Sequence, residues 1–346
     1  MKILFIGGTG TISTAITEQL AATSHELFLL NRGNNNHELP KNVHVITADI
    51  NNEDDVKAKL KGMTFDSVCD FIGFVPEHVE RDFRLFNGIT KQYIYISSAS
   101  AYAKPVRNHI ITEGTSLVNP YWEYSRNKIA CERFLMDKYR YEGFPVTIVR
   151  PSHTYCKKSV PLGLHGLKGS FQVLKRMMEG KPVIIHGDGS SLWTMTYNQD
   201  FARGFIGLIG NPHAIGEVFQ ITSDESLTWN QIYETVASHL GAKLNPLHVS
   251  SDFLVSVAPK EYDLAGNLLG DKACTVVFDN SKLKRAVPGF CATTSFYEGS
   301  RIVIDYVMSH KECQVLDPEF DAWCDRVVKA VEGAKRDFNI TSTIPL

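Results

Sequence analysis

The chain has 346 residues, enough for one large domain or two lobes, and its 36 Lys and Arg nearly cancel 38 Asp and Glu. That balance leaves no net field to recruit nucleic acid and favours a small-molecule partner. Seven scattered cysteines without a CxxC pair argue against a disulfide framework or a zinc site and for a reducing compartment; with no run of about 20 apolar residues, a soluble, cytoplasmic protein is expected.

The strand Ile3 to Ile6 runs straight into Gly7-Gly8-Thr9-Gly10, and a helix is expected from Thr11 to Ala22. Gly7 lets the chain turn tightly, and Gly10 lets a pyrophosphate approach backbone N–H groups at the positive end of the helix. A dinucleotide is the natural guest, although glycine turns of this kind also occur without a ligand. Strands at Glu26 to Leu30, Val43 to Thr47, Ser67 to Ile72, Gln92 to Ser97 and Val146 to Arg150 then alternate with helices from Glu53, from about Pro76 and over Tyr124 to Tyr141. The alternation predicts an α/β protein with a Rossmann-type, doubly wound parallel sheet whose crevice lies at the strand C-termini.

Beyond Pro151 the rhythm breaks into Gly-, Pro- and Lys-rich loops, with helices near Ser170 to Glu179, Gln199 to Ile209, Trp229 to Leu240, Tyr297 to Ser309 and Glu319 to Lys335. A smaller, irregular C-terminal substrate lobe is expected there. The division places residues 1–155 and a returning segment of about 196–222 in the dinucleotide-binding domain. Residues of about 156–195 and 223–346 make the lobe.

Three groups of residues carry chemistry. The second strand ends Leu30-Asn31-Arg32-Gly33 with no acid for a ribose 2′-OH, and a guanidinium at Arg32 can pair with a 2′-phosphate. NADP is therefore favoured over NAD, the alternative being that Arg32 is simply solvated. After the third strand, Asp49 is placed to accept from an adenine amino group while Ile50 packs on the ring; Asp49 is equally suited to cap the helix near Glu53. Tyr124 and Lys128 lie one helical turn apart on the same face. A free tyrosine titrates near 10, so acid–base work near neutrality requires about 4 kcal/mol of phenolate stabilisation. Lys128 and an oxidised nicotinamide can supply it. Ser98 closes the preceding strand and can hold the substrate oxygen, or merely satisfy backbone at a strand end.

Together these residues resemble the short-chain dehydrogenase/reductase superfamily, in particular its extended branch of NAD-dependent epimerases and dehydratases and the related atypical members. Besides GGTGTIS at 7–13, the run Tyr95-Ile96-Ser97-Ser98-Ala99-Ser100-Ala101-Tyr102 looks like the family's serine strand. Arg150-Pro151, Gly187-Asp188-Gly189, Asp200 and Asn280-Ser281-Lys282-Leu283 match later family segments. The resemblance implies Tyr124 as acid/base, Lys128 as the group that lowers its pKa and holds the nicotinamide ribose, and Ser98 as the orienting hydroxyl. The expected cofactor contacts are Gly7, Thr9, Gly10, Thr11, Ile12, Asn31, Arg32, Asp49, Ile50, Lys128 and Pro151. No metal is expected. A homodimer through the helices at about Pro76 to Phe86 and Tyr124 to Tyr141 is also implied.

The departures concern the substrate. Ser13 replaces the third glycine of the turn, which predicts a helix slightly farther from the sheet with cofactor binding retained. His153 and Trp193 stand where sugar-nucleotide enzymes usually place an asparagine and an arginine on the diphosphate. Trp193 can stack on a sugar face or be buried core, and His153 can be a satisfied polar residue. Ala99-Ser100 replaces the acidic pair of dehydratases, which argues against dehydration and leaves Ser100 a candidate substrate contact. The family's helix asparagine has no clear equivalent, Asn87 being the nearest. The expected function is an NAD(P)-dependent oxidoreductase or epimerase acting on a secondary alcohol or ketone of a sugar-like substrate. The alternative is a catalytically silent, dinucleotide-binding regulatory or RNA-associated protein of the atypical group.

Overall fold

In the computed structural model, which describes residues 1–36 and 39–338, runs of β-branched, leucine and aromatic residues form strands, and those over Ser67–Asp70, Tyr93–Ile96 and Val146–Pro151 are buried on both faces. In chain order the first elements are β1 (Lys2–Ile6), α1 (Ser13–Ala21), β2 (Glu26–Asn31), β3 (His44–Thr47), α2 (Glu53–Lys59), β4 (Ser67–Asp70), α3 (Pro76–Phe86), β5 (Tyr93–Ile96), β6 (Ile110–Ile111), α4 (Glu123–Glu142), β7 (Val146–Pro151) and β8 (His153–Tyr155). There follow α5 (Phe171–Met178), β9 (Val183–His186), β10 (Leu192–Trp193), β11 (Met195–Tyr197), α6 (Asn198–Leu208), β12 (Val218–Ile221), β13 (Leu227–Thr228), α7 (Trp229–His239), β14 (Pro246–Val249) and α8 (Ser251–Val257). A π-helix over Ala265–Lys272 leads to β15 (Val277–Phe278), α9 (Ser281–Ala286), α10 (Phe296–Ser309) and α11 (Pro318–Asp337).

The chain divides into two compact units. The first comprises Met1–Cys156, Thr194–Ser226 and Thr275–Phe296. Its seven-stranded sheet runs β12-β7-β5-β4-β1-β2-β3 with every pair parallel. Because side chains alternate along each strand, Ile3, Phe5, Leu27, Leu29 and Ile94 face a layer containing α1 and α6, through Ile16, Leu20, Phe201 and Phe205. Leu4, Ile6, Leu30, Val68 and Tyr95 face α2, α3 and α4, through Val56, Val79, Phe86, Cys131 and Leu135. Strand order reverses between β1 and β4, which opens a crevice at their C-terminal ends.

Several expected features differ in place or extent. α1 begins at Ser13, not Thr11, because Ile12 is its N-cap and the Ser13 hydroxyl accepts the Gly10 N–H at 2.9 Å. α2 is capped by Asn52, whose side chain accepts from the Asp55 N–H. The capping role open to Asp49 is therefore not used; its carboxylate accepts the Asn51 N–H at 3.0 Å. Residues 275–296, expected in the smaller lobe, return to the first unit. There β15 pairs in parallel with β6, and Leu283 and Phe290 join the layer around α6.

The second unit comprises Lys157–Trp193, Leu227–Cys274 and Tyr297–Leu346, of which 339–346 lie outside the described residues. It holds two short strand pairs, β9 with β14 and β10 with β13. Its centre is aromatic, with Trp193 stacked on Trp229 at 5.6 Å. No helix among the described residues is long and apolar enough to cross a membrane.

Candidate active site

The turn after β1 is set by two left-handed glycines, Gly7 at φ 98° and Gly8 at φ 106°. The Gly7 N–H donates to the Leu30 carbonyl at 3.0 Å, and the Gly8 carbonyl accepts the Thr17 hydroxyl at 3.0 Å. A Cβ on Gly8 would stand 2.6 Å from Leu29 of β2, so the turn packs flat on the neighbouring strand. Ile12 offers no side-chain hydrogen bond to the first N–H groups of α1, which leaves the positive end of that helix for an anion.

A cavity of about 390 Å³ opens beside this turn. Gly7 and Thr9 form one wall, Asn31 to Asn35 a second, and Ala48 to Asn51 a third. Arg32 is exposed at its rim, and the Asn31 side chain accepts the Gly33 N–H at 2.8 Å. The cavity thus brings together Gly7, Thr9, Asn31, Arg32, Asp49 and Ile50. Gly10, Thr11 and Ile12 continue the turn outside its lining, the Thr11 carbonyl being held by Asn198 Nδ2 at 3.0 Å, and Pro151 is buried at the end of β7. Ile72, Phe74 and His78 close the cavity from the β4 side, and the Phe74 N–H donates to His78 Nδ1 at 3.2 Å. Sequence reasoning missed these three, whose segment follows β4 without a local motif. These walls, with the N-terminus of α1 beside them, fit an adenosine phosphate: a glycine turn on one side and the Arg32 guanidinium at the rim.

At the C-terminal end of β5 the polar residues converge. Tyr124 lies half-buried in the first turn of α4, and Lys128 stands one turn later, only 2% exposed. The Lys128 ammonium donates to the carbonyls of Gly73 at 2.6 Å and Ile96 at 2.7 Å. It lies 5.7 Å from the Tyr124 ring centre and 4.8 Å from that of Tyr95. Burial lowers its pKa to about 8, with Asp70 the largest opposing influence. Ser98, half-buried, caps a short 3₁₀ turn over Ala99–Ala101 by accepting the Ser100 N–H at 3.1 Å. Its Oγ lies 2.9 Å from the Ser100 Oγ, which accepts from the Ser125 hydroxyl at 2.7 Å. Beneath, Glu132 receives Arg150 through two bonds of 2.9 and 2.6 Å and the Ser97 hydroxyl at 2.5 Å.

Two candidate substrate contacts need correction, and two others are located more simply. Trp193 is 2% exposed and stacked on Trp229; it is core and offers no free ring face. Ser100 is 3% exposed with its hydroxyl held between those of Ser98 and Ser125, so it presents no exposed hydroxyl to a substrate. His153 is half-buried on β8, in register with Met195 of β11. Asn87 is exposed at the C-cap of α3.

Comparison with known proteins finds relatives both by sequence and by fold. The 2'-dehydrokanamycin reductase of Streptomyces kanamyceticus is 23% identical over 84% of this chain and 80% of its own. The chloroplast stem-loop binding protein of 41 kDa b of Arabidopsis thaliana is 26% identical over 76% of this chain and 67% of its own. The solved UDP-glucuronic acid 4-epimerase of Bacillus cereus, in complex with UDP-glucuronic acid and NAD, superposes with a TM-score of 0.70 at 20% identity, covering 89% of this chain and 99% of that one. A glycine turn on β1, a cavity at the switch point and a Tyr–Lys helix beside a serine strand all fall within residues 3–222, the span that matches a single family profile, and the chain accordingly belongs to the NAD dependent epimerase/dehydratase family.

Proposed function

We propose that this protein is an NAD(P)-dependent oxidoreductase or epimerase that moves hydride between nicotinamide C4 and a secondary alcohol or ketone of a sugar-like substrate. The observation that carries the reading is the convergence of Tyr124, Lys128 and Ser98. The ammonium of Lys128 is held by the Ile96 carbonyl at the end of β5, two residues before Ser98, and faces the ring of Tyr124. A cation there favours phenolate over phenol, so Tyr124 can take the alcohol proton in oxidation and return it in reduction. Ser98 holds the oxygen as its charge changes. The nicotinamide supplies the hydride chemistry.

NADP is preferred in this reading because Arg32 borders the cavity and the end of β2, Leu30-Asn31-Arg32-Gly33, carries no acid for a ribose 2′-OH. The relative named as a reductase supports net reduction, while the neighbour solved with UDP-glucuronic acid supports a nucleotide sugar. Residues 1–156 with their returns act as the dinucleotide-binding domain, the second unit as the substrate lobe, and α3 with α4 as the face of a homodimer.

The test is a screen of nicotinamide absorbance with NADPH and NADH against sugars, sugar phosphates and nucleotide sugars and their ketones. NADPH is expected to be the better reductant, and Tyr124→Phe to lower kcat at least about a hundredfold with cofactor affinity kept. Unchanged turnover in Tyr124→Phe would overturn the mechanism. One relative is named for binding a stem-loop, which favours a catalytically silent, RNA-associated alternative. Intact Tyr124, Lys128 and Ser98 and a net charge of −2 count against it; salt-sensitive RNA binding without turnover would establish it.

A further inference from the structure

We propose that Ser100 and Ser125 are positioning residues that fix Ser98 as a hydrogen-bond donor toward the substrate oxygen, an inference that rests on the hydride-transfer reading above. A serine hydroxyl has one proton to give and two lone pairs to receive. Ser98 Oγ receives the Ser100 N–H at 3.1 Å and faces the Ser100 hydroxyl at 2.9 Å. Ser125 donates to that same Ser100 oxygen at 2.7 Å and fills one of its lone pairs; the buried Ser100 proton then needs an acceptor of its own, and Ser98 Oγ is the hydroxyl oxygen within reach. Both acceptor positions of Ser98 are then filled. Its own proton is left to point outward.

The consequence is chemical. A freely rotating serine can accept from a substrate alcohol as readily as it donates, and it then gives nothing to an oxygen gaining negative charge. A hydroxyl wired as a donor is prepared for that charge before the reaction begins, and each bond in the chain polarises the next. Ser125 directly follows Tyr124 on α4, so the Ser125–Ser100 bond also ties the proton-moving helix to the oxygen-holding turn. Asn119 reinforces the tie: its Nδ2 donates to the Ser100 carbonyl at 2.8 Å, and its Oδ1 accepts the N–H groups of Tyr121 and Trp122 at 3.1 and 3.2 Å. Ser100 is 3% and Ser125 0% exposed. They therefore act through Ser98 and not on the substrate.

The test is a double-mutant cycle on kcat and KM, using the ketone that turns over fastest in the cofactor screen. Ser98→Ala is expected to lower kcat about a hundredfold. Ser100→Ala is expected to lower it about tenfold with KM, cofactor affinity and Tm nearly unchanged, and Ser100→Thr, which keeps the hydroxyl, to recover most of the loss. The decisive variant is the double Ser98→Ala/Ser100→Ala, expected to be no slower than Ser98→Ala alone. Losses that multiply would show that Ser100 acts independently of Ser98, and full activity in Ser100→Ala would equally overturn the proposal. Should Ser100→Ala fail to fold, Ser125→Ala replaces it in the same cycle. A wild-type protein that turns over no ketone removes the hydride-transfer reading and this inference with it; an active wild type with multiplicative losses removes this inference alone.

Discussion

Gly8 and Gly10 stand two residues apart in one turn and answer to different constraints. Gly8 has φ 106°, and a Cβ there would meet Leu29 at 2.6 Å. Gly10 has ordinary backbone geometry, and its Cβ would make only a normal contact with Ser13 Oγ at 3.6 Å. Gly8→Ala is therefore expected to cost about 3 kcal/mol of stability, from left-handed strain and overpacking together. Gly10→Ala should change stability by less than about 0.5 kcal/mol and, on the function proposed above, weaken NADPH binding, because there the dinucleotide pyrophosphate would approach the Gly10 backbone. Urea unfolding and fluorescence titration of NADPH measure the two effects, and equal loss of stability in both variants would contradict the assignment. The contrast also explains what was legible. Gly7 and Gly10 follow from the order of strand, turn and helix, whereas the need for Gly8 comes from a leucine on the next strand. Trp193 was ambiguous for the same reason: only its stacking on Trp229 decides between core and binding plate.

The helix α4 carries more of the site than its motif announces. Tyr124 and Lys128 are readable because both lie on one helix at a fixed spacing. Glu132, one turn beyond Lys128, takes its partners from β5 and β7, through Ser97 and Arg150. No local pattern in the sequence joins them. The Arg150–Glu132 pair is about 4% exposed on each side, so its attraction must offset the cost of burying both charges. Glu132→Gln leaves the guanidinium buried beside a neutral amide. The expected loss is about 3–5 kcal/mol, read from the urea midpoint, together with a fall in kcat as the Tyr124 helix loses its tie to the serine strand. A variant as stable as the parent would show that Arg150 finds another counter-charge or enough water.

At the scale of the whole molecule, all seven strands of the main sheet lie within residues 1–226, and the family profile ends at 222. Connectivity alone would make that piece a complete domain. The packing says otherwise. Gly204 and Gly207 of α6 lack side chains where Phe290 and Val287 press against them, at 2.9 and 2.3 Å from where a Cβ would be. The Asn280 side chain donates to the Thr222 carbonyl at 3.0 Å, and Gln220 Nε2 donates to the Asp279 carbonyl at 2.8 Å. Residues 275–296 thus cover apolar surface and satisfy buried polar groups at the β12 edge. This return was illegible because β15 spans two residues and α9 six, too short for any periodicity to register. The earlier return through α6 and β12 had a full helix and strand to announce it. Residues 1–156 joined through a Gly/Ser linker to 194–226 are accordingly expected to keep helical far-ultraviolet circular dichroism but lose near-ultraviolet signal and bind a hydrophobic dye. The same fragment joined to 275–296 through a Gly/Ser linker should regain cooperative unfolding and NADPH binding. If the fragment without 275–296 unfolds cooperatively and binds NADPH like the full chain, the third segment is dispensable and the division of the first unit must be redrawn at residue 226.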